Sequence, residues 1–213
     1  MRHMGTLILV RHAKSEWNAL GKWTGWRDVP LSEEGRSQAL MTADELNGLT
    51  IDRAYTPDLK RCSDTLNIIL ARLGREDVPV VVAPALKERH YGIFTGKNKW
   101  EIQKEVGEEK FRRIRRGWDE PIPQGETLKD VYARVVPYFR EHILPDAAEG
   151  KNILIVSSGN ALRAIAKHLE EISDEAIADL EIGVGEAHVY ELDKDGRVLS
   201  KHIRAENAEK GKI

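Results

Sequence analysis

Two periodicities alternate along the chain. Short runs of β-branched and aliphatic residues at 6–10, 53–56, 78–83, 152–157, 188–193 and 198–203 predict strands. Between them, apolar residues recur at helical spacing. Ser32 predicts an N-cap with Glu33 and Glu34 in the first turn, and apolar Ala39, Leu40, Ala43 and Leu46 follow at helical spacing. A longer stripe runs through Leu128, Val131, Tyr132, Val135, Val136, Phe139 and Ile143, and Pro137 within it predicts a bend. Strands alternating with helices predict an α/β fold in three layers, α/β/α, with a mainly parallel central sheet flanked by helices. The runs 7–10 and 153–156 are apolar at every position, as in strands covered on both faces. No internal repeat interrupts this pattern, and the polar tail 205–213 reads as mobile.

Length and charge narrow the picture. At 213 residues, 41% of them hydrophobic, the chain suits one domain at about 100–200 residues per domain. A formal net charge of −2 gives no global attraction to nucleic acid or anionic lipid, so basic chemistry has to come from a local cluster. The single cysteine, Cys62, rules out an internal disulfide and a multi-cysteine metal site, in keeping with a reducing compartment. No apolar run approaches the ~18 residues of a membrane span, and the first residues lack the pattern of a signal peptide. A cytoplasmic protein is expected, starting at Met1 or Met4.

In open α/β sheets ligands gather at the carboxyl ends of strands. Two ends stand out here. The first strand runs into Arg11-His12, and the fourth runs into Ser158 and then Gly159-Asn160, which opens a helix whose free N–H groups and positive dipole end suit a phosphate. Both ends predict one anion site.

The stretches "RHAKSEWN", "WTGWRDVPLSEEG", "AYTPDLKR", "KERHYGIFTGKNK", "RRGW" and "SGNALRA" occur in the order found in the cofactor-dependent phosphoglycerate mutases of the histidine phosphatase superfamily. The chain resembles that family from about Leu7 to His202. The resemblance implies a mutase that interconverts 3-phosphoglycerate and 2-phosphoglycerate through a phosphohistidine, primed by 2,3-bisphosphoglycerate and without a metal. A phosphatase of the same superfamily is the alternative.

The residue chemistry agrees. A neutral imidazole attacks phosphorus at neutral pH, which makes His12 the candidate nucleophile. Arg11 and Arg61 offer guanidinium forks for the phosphoryl oxygens. Glu88 is the candidate general acid/base, since moving a phosphoryl group between hydroxyls requires a proton to leave and return. Asn18, Thr24 and Gly25 offer an amide, a hydroxyl and a turn for an anion, and Gly159 and Asn160 the helix start. By the resemblance, Arg89, Tyr91, Lys99, Arg115 and Arg116 hold the substrate's carboxylate and second phosphate, and His90 is structural. The partner implied is a small phosphorylated carboxylic acid, with no nucleic acid and no membrane.

Three positions depart from the family pattern. Ser158 stands where the family has a second catalytic histidine, and a compensating change, a weakened enzyme or a turnover-impaired binding protein are all open there. Ala13 replaces the usual glycine, placing a methyl near the phosphate, and Lys14 replaces an acidic residue, making the pocket more attractive to anions. Gly125-Glu126-Thr127 reads as a helix start with Glu126 near its positive end. The segment around "RRGWDEPIPQGETL" is shorter than in the longer mutases; the resemblance allows a homodimer, but their subunit contacts do not carry over.

Overall fold

The computed structural model describes residues 5–208 and 210–211, which leaves Met1 and Met4 outside the described residues. Among the described residues, six strands form one sheet: β1 (Gly5–Arg11), β2 (Arg53–Thr56), β3 (Val80–Val82), β4 (Ile153–Ser157), β5 (Ala187–Leu192) and β6 (Val198–Arg204), in the order β3-β2-β4-β1-β5-β6. The first four in that order are parallel. β5 runs antiparallel to β1, and β6 to β5. The expected parallel sheet thus carries two antiparallel strands along one side.

Alternation along the strands explains why the central runs are apolar throughout. Leu7, Leu9, Ile153 and Ile155 face one way, into a core shared with α6 (Leu128–Tyr138) and α8 (Gly159–Leu169). Ile8, Val10, Leu154 and Val156 face the other way, against α2 (Glu33–Glu45) and α3 (Lys60–Arg72). Each face of the central pair is therefore dry. Ser32 caps α2 through a bond from Gly35 N, and Gly35 itself lies so close to the loop after β1 that a Cβ there would sit 2.0 Å from Lys14 O. The perturbation expected at Pro137 takes the form of a π-helical turn over Phe139–Ile143, before α7 (Leu144–Ala148) resumes; Pro137 has no N–H to give to the preceding turn.

After β1 comes the short α1 (Glu16–Ala19), and α4 (Lys99–Val106) and α5 (Glu108–Arg116) contribute Ile102, Phe111 and Ile114 to a separate apolar cluster with Trp23, Tyr91 and Ile122. The tail departs from expectation: Asn207 Nδ2 donates to Val184 O, Lys210 pairs with the buried Glu186, and Gly211 O accepts from Arg115, so its described residues are docked. No helix among the described residues is long and apolar enough to cross a membrane.

Candidate active site

Parallel pairing of β1 with β4 puts Arg11 beside Ser157, so the two expected strand ends arrive together. His12 N donates to Ser157 O at 2.8 Å, tying them at the point where both leave the sheet. The His12 ring is 3% exposed. Its Nδ1 lies 2.8 Å from Ala13 O, an acceptor, which places the proton on Nδ1 and the lone pair on Nε2. Burial, then the neighbouring Arg61 and Arg11, hold His12 well below the usual histidine range, so the ring is neutral at pH 7. Arg61, in the first turn of α3, donates from Nε to His12 Nε2 at 3.1 Å and from its terminal nitrogens to Arg27 O and Gly25 O.

Two connected cavities share this region. One brings together His12, Asn18, Thr24, Gly25 and Arg61. The other is lined by Arg115, Arg116, Gly159, Asn160, Arg163 and Glu181. Arg11, Trp23, Glu88, Tyr91 and Lys99 line both, so the cleft has a histidine half, a distal half and a common wall. Among the described residues, buried Arg11 Nε and Thr24 Oγ1 have no hydrogen-bond partner, and each is a donor of the kind an anion would satisfy. Asn18 gives its oxygen to the backbone and hydroxyl of Ser15 and keeps its amide protons.

Glu88 is 7% exposed. Its Oε1 accepts from Arg89 N at 2.6 Å, Asn160 Nδ2 at 2.9 Å and Asn160 N at 3.3 Å. At the start of α8 Asn160 N thus meets the protein's own carboxylate, while Gly159 and Asn160 both line the cleft. The segment Glu88–Phe94 is held from behind by Arg134, which donates to Glu88 O and forks onto Glu126. Glu126 therefore serves an ion pair, and the start of α6 is capped instead by Thr127 with Asp130. Gly92, at φ +47, crosses this region so closely that a Cβ would lie 2.0 Å from Pro123 O.

In the distal half, Lys99 is brought down to about 7, first by burial and then by Arg115 and Arg11. Arg115 is lowered to about 10 by burial and by Arg116, and remains a cation at neutral pH. Arg116 pairs with Glu181. Asn160 Nδ2 also meets Tyr91 OH at 2.9 Å.

Four expected positions fall elsewhere. Arg89 is fully buried but lines neither half; its guanidinium lies over the Tyr91 ring and donates to Ile114 O and Arg115 O, because a buried cation finds acceptors in the free carbonyls at the end of α5. Ser158 also lines neither half, its Oγ taking a bond from Arg61 at 3.3 Å and lying 3.7 Å from Cys62 Sγ. Lys14 reaches out to Glu34, and Ala13 packs its methyl against Leu31 and Ala39, so neither alters the pocket as expected. Conversely, Trp23, Arg163 and Glu181 line the cleft without having been singled out. Trp23 reads as packing in "KWTGW", and Arg163 is one helical turn beyond Asn160 in "GNALRA", a spacing that could have exposed it.

Comparison with known proteins places this geometry. The model of the histidine phosphatase superfamily (branch 1) matches residues 7–204. A 2,3-bisphosphoglycerate-dependent phosphoglycerate mutase of Parvibaculum lavamentivorans is 41% identical over 202 residues, covering 94% of this chain and 96% of its own. Among solved structures, Bacillus stearothermophilus YhfR superposes with a TM-score of 0.78 at 26% identity, over 91% of this chain and 94% of that one. A mycobacterial glucosyl-3-phosphoglycerate phosphatase in complex with VO3 shares the fold at a TM-score of 0.79 and 23% identity, over 93% and 97%. With a neutral histidine at the tip of β1 and a family match across nearly its whole length, the chain belongs to the histidine phosphatase superfamily.

Proposed function

We propose that this protein is a phosphoglycerate mutase that interconverts 3-phosphoglycerate and 2-phosphoglycerate. One observation carries the reading: a neutral imidazole, its Nδ1 tied to Ala13 O, lines a cleft whose far half holds a second set of cations. Two cationic halves suit a substrate with two anionic ends, and the identity to a named mutase supports the same choice.

In the forward step His12 Nε2 attacks phosphorus, and the bond to the departing oxygen breaks as the N–P bond forms. Arg11 and Arg61 meet the phosphoryl oxygens, with Asn18 and Thr24 adding neutral donors. Glu88 takes the proton of the substrate hydroxyl that accepts the phosphoryl group from His12, and returns it to the oxygen that departs when His12 takes a phosphoryl group back. Arg115, Arg116 and Lys99 hold the substrate's other anionic end. The unpartnered Arg11 Nε and Thr24 Oγ1 fit a phosphorylated primer as they fit substrate. When bound, 2,3-bisphosphoglycerate supplies the phosphoryl group that charges His12.

A second reading, a turnover-impaired phosphometabolite-binding homologue, is favoured by Ser158, which adds no charge where a second histidine is the family pattern; a phosphatase of the superfamily is the remaining alternative. Incubation with labelled 2,3-bisphosphoglycerate should leave an acid-labile label that His12→Asn abolishes, and isomerisation should depend on that primer. Phosphate release faster than isomerisation would establish the phosphatase. Binding of phosphoglycerate without turnover would mark an impaired homologue.

A further inference from the structure

Arg163 belongs to α8 and is 3% exposed. A guanidinium buried this far needs an acceptor for each N–H it presents. Nε donates to Leu180 O at 3.1 Å, and NH2 to Arg116 O and Ile177 O, both at 2.7 Å. NH1 donates to Asn160 Oδ1 at 2.8 Å. The three carbonyls pin the guanidinium, and the fourth contact presents a donor to Asn160.

That contact decides which way the Asn160 amide points. Guanidinium donates and never accepts, so the amide oxygen must face Arg163 and the NH2 group the opposite side. There its nitrogen reaches both Glu88 Oε1 and Tyr91 OH at 2.9 Å. A flipped amide would set oxygen against the carboxylate and NH2 against the guanidinium, so both ends would lose a bond. Glu88 Oε1 thus collects three N–H donors, from Arg89 N, Asn160 N and Asn160 Nδ2, whereas Oε2 takes no hydrogen bond from the described residues. The carboxylate is held by one oxygen and left with the other.

We propose that Arg163 is a positioning residue for proton transfer: by orienting the Asn160 amide it fixes Glu88 through Oε1 and leaves Oε2 as the oxygen that exchanges protons with substrate. This rests on Glu88 being the proton carrier. Nothing in the arrangement requires Arg163 to touch the substrate.

The test is a double-mutant cycle on turnover, read as isomerisation or phosphate release, with Arg163→Lys and Asn160→Ala. Arg163→Lys should lower kcat about tenfold in the parent chain and cost nothing further once Asn160 is alanine. Losses that multiply independently would show a merely structural role and overturn the inference. Asn160→Asp, made with Arg163 intact, gives a readout that does not depend on how the lysine variant folds. It keeps an acceptor for Arg163 but offers no side-chain donor to Glu88, so its kcat should fall as far as that of Asn160→Ala; parental kcat would overturn the inference. The underlying reading fails separately: Glu88→Gln at parental rate removes Glu88 as proton carrier, whatever the cycle shows.

Discussion

The two halves of the cleft are built on different principles. The histidine half sits on strand ends and a helix start, and its key side chains are held before any ligand arrives: His12 by Ala13 O, Arg61 by two carbonyls, Glu88 by three N–H groups. The distal half is carried by α4, α5, the segment around Glu181 and the first turn of α8, and gathers Arg115 and Arg116 with Lys99 of the common wall at mutual electrostatic cost. Preorganisation serves chemistry, where a misplaced group costs rate. Crowded cations serve recognition, because an anion relieves the repulsion it finds.

If that division holds, variants in the two halves should separate kcat from KM. The largest effect is expected from Glu88→Gln, which keeps shape and removes the proton carrier: kcat should fall on the order of 10²–10⁴-fold with KM little changed, measured by steady-state kinetics. A comparable rise in KM would erase the distinction. Arg115→Leu should do the reverse. Losing a charge-assisted bond worth about 1.5–3 kcal/mol should raise KM about 10–100-fold while kcat stays within a few-fold.

The smallest effect is a pH dependence. Lys99 at about 7 is half charged near neutrality in the free protein, so affinity for an anionic substrate should weaken as pH rises through 7. Binding should take up protons there, visible by calorimetry in buffers of different ionisation heat and absent in Lys99→Met. The sign for stability follows. The unfolded chain keeps this proton up to its ordinary 10.5, so between about 7 and 10.5 it binds more protons than the folded one and stability rises with pH. Lys99→Met should flatten that slope in denaturant titrations.

The layered fold was legible because period-2 and period-3.6 patterns report burial directly: 53–56 is β2 residue for residue, and the Val131–Ile143 stripe lies in the core. The antiparallel direction of β5 and β6 was not, since alternation says which face a residue takes and nothing about strand sense. Arg11 and His12 are marked by a strand end as well as by motif order, and Arg61 and Glu88 by motif order alone; all four line the cleft. Arg89, Lys14 and Ser158 were misplaced for a common reason. Charge and sequence neighbourhood locate a residue near a site, but the partner its side chain meets, here the end of α5, Glu34 or Arg61, is set by tertiary packing; Arg89 Nε and NH1 are left without a hydrogen bond among the described residues.

Gly92 shows what such packing demands of descent. With no room for even one carbon beside Pro123 O, and a backbone angle that side chains resist, the position is closed to other residues although it bonds no ligand. Lineages diverging from this chain can redecorate the rim of the cleft. A random library selected for turnover should nonetheless come back with glycine at position 92, marking a residue that lines neither half of the cleft as one of the least negotiable in the chain.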